Sequence, residues 1–225
     1  MTHRTRRLSF AAPAFALILA STGAAAQQSI DKVLGGITAR AGQAYGDLET
    51  VNGGITIEAG ATTRDAGTVN GGISVADKAS TGKLETVNGG IKLGRGVTVG
   101  GGIETVNGGV FIDRGGKVRD GIENVNGDIG IVGTELGGGI ESVNADVTVG
   151  AGSHVRGGIR IEKNESWGRH KDRDEPRVIV GPNAVVDGPL VFERPVKLYV
   201  HGSARIGPVT GATPVAYSGD TAPSE

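Results

Sequence analysis

A phrase that returns every 18 or 19 residues constrains this chain more than any other feature. Val-Asn-Gly-Gly-Ile begins at Val51, Val69 and Val87, with near copies at Val106, Val125 and Val143. The asparagines Asn52, Asn70, Asn88, Asn107, Asn126 and Asn144 follow one another at intervals of 18, 18, 19, 19 and 18 residues. A degenerate copy starts at Ile30 and carries Leu34 in place of Asn. One copy is too short to bury its own apolar face, whereas stacked copies can bury a shared one.

Aligned copies begin at Ile30, Leu48, Ala66, Leu84, Ile103, Ile122, Ile140, Ile159 and Leu190. The fourth column is Val from Val33 to Val143. The eighth is Ile or Val, as in Ile37, Ile55, Ile73 and Val110, and the tenth is mostly apolar, as in Ile57, Val75 and Leu93. Thr56, Ser74 and Lys92 lie between the eighth and tenth, which predicts strands with those side chains pointing outward. The last third of each copy is weaker, with Val97, Val99, Val118, Leu136 and Val155 among small polar residues, and predicts a thinner side. The abundance of Ile and Val favours strand, and 41 Gly in 225 residues penalise helix.

The predicted fold is all-β, a single-stranded parallel β-helix (solenoid) of about nine coils, with a right-handed coil favoured. Coils about 4.8 Å apart make a rod roughly 40 Å long. An antiparallel hairpin array is the alternative, because Asn-Gly between apolar residues is a strong hairpin signal. The fixed spacing favours the solenoid, since hairpins do not require identical residues to align. Asn and Gly tolerate the positive φ of a sharp corner. The stacked amides of Asn52, Asn70, Asn88, Asn107, Asn126 and Asn144 predict a structural ladder along the rod.

The chain divides into three parts. Residues 1–26 read as a cleaved secretory signal: a basic start at Arg4, Arg6 and Arg7, an apolar run from Leu8 to Ala20, and the small residues Ala24, Ala25 and Ala26. The apolar run is too short to span a bilayer and contains Pro13, and no later segment is apolar enough. A periplasmic or secreted protein without a membrane span is the expectation. Residues 27–209 form the solenoid, interrupted at 163–176 by KNESWGRHKDRDEP. Insertions in solenoids emerge as loops on one face. This one carries Trp167, Arg169 and His170, a candidate contact loop for a partner or glycan. The tail 210–225, rich in Gly, Pro, Ala, Ser and Thr, is expected to be disordered.

Composition excludes several chemistries. The chain has no Cys, hence no disulfide, thiolate metal site, Cys nucleophile or lipidated N-terminal Cys. Its formal net charge of −1 gives no reason to expect nucleic acid. Nucleophile elbows, zinc-protease helices and phosphate loops are missing from the sequence. His3, His154, His170 and His201 lack metal-ligand spacing. Neither an enzymatic activity nor a cofactor is expected. Glu85, Glu104, Glu123 and Glu141 share one repeat position, with Glu49 and Asp31 lower in the same column. Stacked carboxylates about 5 Å apart make a solvated acidic stripe, with Ca²⁺ recruitment as the competing reading. The open β edge at the first coil raises end-to-end self-association.

The segments LETVNGGI, IENVNGDIGI and IESVNADVTV resemble the β-strand repeats of a bacterial adhesin family, over about Leu48 to Val149. That resemblance implies a β-helical solenoid and supplies no catalytic residues. The stretch RVIVGPNAVVDGPLVF is similar to the bactofilins, polymer-forming β-helix proteins, which generally lack an export signal. The expected role is structural, adhesive or scaffolding in the cell envelope, with an envelope glycan or protein as partner. A polysaccharide-binding or polysaccharide-cleaving β-helix is the alternative.

Overall fold

The computed structural model describes residues 27–163, 175–219 and 221–223. These residues form an all-β, all-parallel solenoid of about nine turns with no helix. Two sheets run the length of the rod, and a third starts at the third coil, before which only the isolated bridges Ala44–Thr62 and Thr62–Ser80 continue it. The first has ten strands, from Ile30–Leu34 to Val209–Thr210. The second also has ten, from Ile37–Ala39 to Val215–Tyr217. The third has seven two-residue strands, from Ser80–Thr81 to Arg205–Ile206, and is the thin side. Like residues pair across coils: Ile103 with Leu84 and Ile122, Asn107 with Asn88 and Asn126. Parallel pairing throughout excludes the hairpin array.

Strand alternation decides what is buried. In Leu48–Asn52, Leu48 and Thr50 face inward while Glu49, Val51 and Asn52 face out. In Ile55–Ile57 the two isoleucines face inward and Thr56 faces out. The core is therefore a set of stacked columns, each fully buried Ile or Leu contributing roughly 1.5–3 kcal/mol. The weaker third side also points its apolar residues inward, and Val97, Val99, Leu136 and Val155 are almost fully buried.

One inward column is polar. Thr50, Thr68, Thr86, Thr105, Asn124 and Ser142 are all buried. Thr68 and Thr86 donate their hydroxyls to the carbonyls of Gly53 and Gly71, each at 2.8 Å. Asn124 reaches the Gly108 carbonyl at 2.9 Å. The threonines and Asn124 thus tie each coil to the corner of the coil before, and a hydrogen bond offsets the polar cost of burial; the buried Ser142 hydroxyl has no such partner among the described residues.

The Asn-Gly-Gly corner corrects one expectation. At Gly53, Gly71, Gly89 and Gly108 φ is not positive, and along this corner only Gly35 and Gly127 adopt that conformation. Glycine is needed for a different reason. A Cβ on Gly89 would run into the carbonyl of Gly71 and the nitrogen of Gly72 in the preceding coil. Positive φ belongs instead to the next corner, at Gly60 and Gly96, and there Lys78 takes φ 59° without being glycine.

Both ends of the core are closed by aromatic residues. Tyr45 packs against the first coils, in register with Thr63, Thr81 and Val99. Its hydroxyl accepts the Arg40 N–H at 3.2 Å. At the far end, the chain beyond Thr210 contains the strand Val215–Tyr217, paired with Lys197–His201, where composition suggested a loose tail. Tyr217 buries its ring edge-on to His201, 5.1 Å between centroids, and covers core that would otherwise meet water. The insertion leaves the stack undisturbed, since Val178 and Val180 pair with Val147 and Val149 as in any other coil.

Candidate interaction faces

The outer surface of the first sheet carries three parallel rows: parity turns the second and fourth residues of each strand outward, and the fifth, at the corner, is exposed as well. The first row is acidic: Glu49, Glu85, Glu104, Glu123 and Glu141 project outward and stand in register across coils. Gly67 interrupts it, and Arg160 follows Glu141. The second row is valine. Val51, Val69, Val87, Val106 and Val125 are 37–41% exposed, and Val33 in the edge strand is 69% exposed. The regularity of that column does not place it in the core, because it sits one residue out of phase with the inward positions.

The third row is the asparagines. Each Nδ2 donates to the Oδ1 of the previous coil: Asn70 to Asn52, Asn88 to Asn70, Asn107 to Asn88, Asn126 to Asn107 and Asn144 to Asn126, all at 2.9–3.0 Å. The amides point the same way along the rod. At the N-terminal end the Asn52 amide reaches the Val33 carbonyl at 3.5 Å, since Leu34 stands where a partner amide would be.

Lys83 breaks the acidic row electrostatically. Its ammonium lies 2.7 Å from Glu104 and 3.2 Å from Glu85, bridging two adjacent coils. The hydrogen bond to Glu104 is the largest influence and holds the lysine pKa above its ordinary value of 10.5. Among the described residues no group of three or more His, Asp or Glu side chains could hold a metal ion. Glu85, Glu104, Glu123 and Glu141 form a line along a flat sheet, so the Ca²⁺ reading gains no cage of oxygens. Shallow clefts of about 500 Å³ and about 280 Å³ lie between the carboxylates and the valines.

The second sheet carries a different feature, a cleft of about 420 Å³ that includes Phe111, Gly130, Asp128 and Arg177. Phe111 is 45% exposed. On the third side, His154 meets Asp187 at 2.6 Å and Glu135 at 3.8 Å, an exposed polar cluster. At the corner after the strand Val110–Ile112, Asp113 is held below the usual carboxylate range, first by the Arg114 backbone N–H and then by Arg95.

The contact loop proposed at Trp167, Arg169 and His170 lies outside the described residues. Sequence reasoning missed the inward Thr column and the Phe111 cleft. Phe111 was detectable as the one aromatic in a column that otherwise holds Thr, Ser, Lys or Gly through its first seven members. Comparison with protein-family models, curated proteins and solved structures found no match. Among the described residues no helix is long and apolar enough to cross a membrane.

Proposed function

We propose that this chain is an exported, non-enzymatic β-solenoid that serves the cell envelope as a structural or adhesive rod. The observation that carries the reading is the exposed valine row beside a row of carboxylates, repeated coil after coil. An outward strand position is free to be polar, so apolar methyls kept there suit a surface that meets a partner along its length rather than in a pocket. The basic and apolar leader at residues 4–20 supports export. Resemblance of the Leu48–Val149 repeats to bacterial adhesin repeats supports the adhesive role. The outer edge of Ile30–Leu34, with no strand beyond it among the described residues and Leu34 74% exposed, supports end-to-end self-association.

Cell fractionation with mass spectrometry of the recovered chain tests export; a mature N-terminus at Gln27 in the periplasm or medium is the expected result. A chain retained in the cytoplasm with Met1 intact contradicts it. Binding of the recovered protein to isolated envelopes, with and without the triple substitution Val51→Thr, Val69→Thr and Val87→Thr, tests the adhesive face. A several-fold loss in the variant is expected, and equal binding removes the valine row from the account. A polysaccharide-binding reading is favoured by the Phe111 cleft.

A further inference from the structure

In a repeat protein the residues that leave the repeat without serving the stack are the ones to question. On the second sheet the outward column reads Thr38, Thr56 and Ser74, then changes to Lys92, Phe111 and Gly130 before returning to Thr148. One corner away, the residue that precedes each strand of this sheet is Gly54, Gly72, Gly90 and Gly109, then Asp128 and Asp146. The Asp146 carboxylate accepts the Arg177 N–H of the next coil, whereas the side chains of Lys92, Phe111 and Asp128 make no such tie among the described residues. Both changes meet in one place, the cleft of about 420 Å³.

The geometry there is that of a platform with polar edges. Gly130 sits beside Phe111 in the next coil, and the Phe111 ring lies against it, 3.4 Å from where a Cβ would stand, so no side chain of that coil covers the ring. Lys92 stands on one side of the ring, in the coil before, and Asp128 on the other, in the coil after. Neither the Lys92 ammonium nor the Asp128 carboxylate has a hydrogen-bond or ion-pair partner among the described residues. The far wall is fixed. The Arg177 backbone N–H donates to Asp146 at 2.8 Å, its guanidinium donates to the Pro223 carbonyl at 2.7 Å and lies 5.5 Å from the Tyr199 ring centroid.

We infer that this cleft binds one hexopyranose unit of a neutral glycan, with Phe111 as the stacking platform. A sugar ring has an apolar C–H face and a rim of hydroxyls that both donate and accept. Phe111 offers the apolar surface, Asp128 a free acceptor and Lys92 a free donor. The two charges cancel, which favours a neutral polyhydroxylated ligand over an anion or a cation. The cleft is open along the rod, so a polymer can enter with one ring and run past. Glycan binding at this cleft is separate from the envelope role, and either can fail alone.

The test uses substitutions that restore the repeat, so the fold is not at risk: Phe111→Thr and Asp128→Gly. The purified protein is screened against an array of neutral glucose, galactose, mannose and N-acetylglucosamine oligosaccharides together with anionic uronic-acid oligosaccharides, and the strongest hit is titrated by calorimetry. Saturable binding is expected, weakened at least tenfold by either substitution with no fall in melting temperature. Three results overturn the inference: no neutral oligosaccharide binds, binding survives both substitutions, or the strongest ligand is anionic and is released by salt.

Discussion

The guanidinium of Arg194 donates to Oδ1 of Asn144 at 2.7 Å and to the Val143 carbonyl at 3.2 Å, across 50 and 51 residues of sequence. Asn144 is the last rung of the ladder. Every rung spends its Nδ2 on the coil before and presents its Oδ1 to the coil after, so the line of amides ends on an acceptor. A cation at that end completes the hydrogen bonding and complements the aligned dipoles.

Arg194→Ala therefore removes the cation from the end of the ladder. The expected loss is about 1–2 kcal/mol in urea unfolding. Hydrogen exchange should show the loss first around Asn144 and in the coils beyond it. A uniform loss over all coils would contradict the capping role.

Asn88→Ala removes two rungs at once, the donor to Asn70 and the acceptor of Asn107. The site is exposed and water replaces part of the loss, so about 1–2 kcal/mol is expected. Asn88→Asp keeps the acceptor, loses the donor and adds a charge, and should be no better than the alanine variant by the same unfolding measurement.

Gly89, at a corner, and Gly67, inside a strand, should respond oppositely to alanine. At Gly89 a Cβ meets the backbone of the preceding coil, which has nowhere to move, and a loss of about 3 kcal/mol or more is expected. At Gly67 the nearest atom to a Cβ is the Glu85 carbonyl oxygen at 4.0 Å. Gly67→Ala should raise stability by roughly 0.5–1 kcal/mol by removing the entropy cost of glycine in a strand. Paired thermal melts check both.

Lys78→Gly should stabilise. The lysine holds φ 59° in a corner where Gly60 and Gly96 hold nearly the same angle. Relief of that conformation outweighs the entropy cost of glycine by about 0.5–1 kcal/mol. The melting temperature of the variant is the readout, and a fall would show that the lysine stem packs to greater effect than its backbone strains.

The Lys83 bridge sets a pH dependence with a definite sign. Its folded pKa lies above the ordinary 10.5, so its contribution is fully present below that value and is lost as the pH rises through the folded pKa. The difference in stability between the native chain and Lys83→Met should be constant from pH 7 to about pH 10 and shrink at higher pH. It should also be small, because the pair is more than a third exposed.

Sequence periodicity made the stacking legible because an 18- or 19-residue lap repeats its inward residues: Ile55, Ile73 and Ile91 pair as aligned. The same regularity said nothing about which way Val51 faces. Only the parity from buried Leu48 through Glu49 and Thr50 settles that, and it reverses what hydrophobicity suggests. Thr50 is the mirror case, a polar residue turned inward because the Gly35 carbonyl accepts its hydroxyl. Tyr217 was hidden in a tail of small residues, where composition predicts disorder and one aromatic at a core end overrides it.

Successive laps lie in register one above another. The chain has no cysteine, so spin labels attach only where cysteines are introduced. Thr38, Lys92 and Thr148 are outward positions of the second sheet, three and then six coils apart in the register. Electron–electron distance measurements should grow in proportion to coil number at about 4.8 Å per coil: about 14 Å between Thr38 and Lys92, and about 29 Å between Thr38 and Thr148, with an allowance for the label arms. A Thr38–Thr148 distance no longer than the Thr38–Lys92 distance would contradict the stacked solenoid.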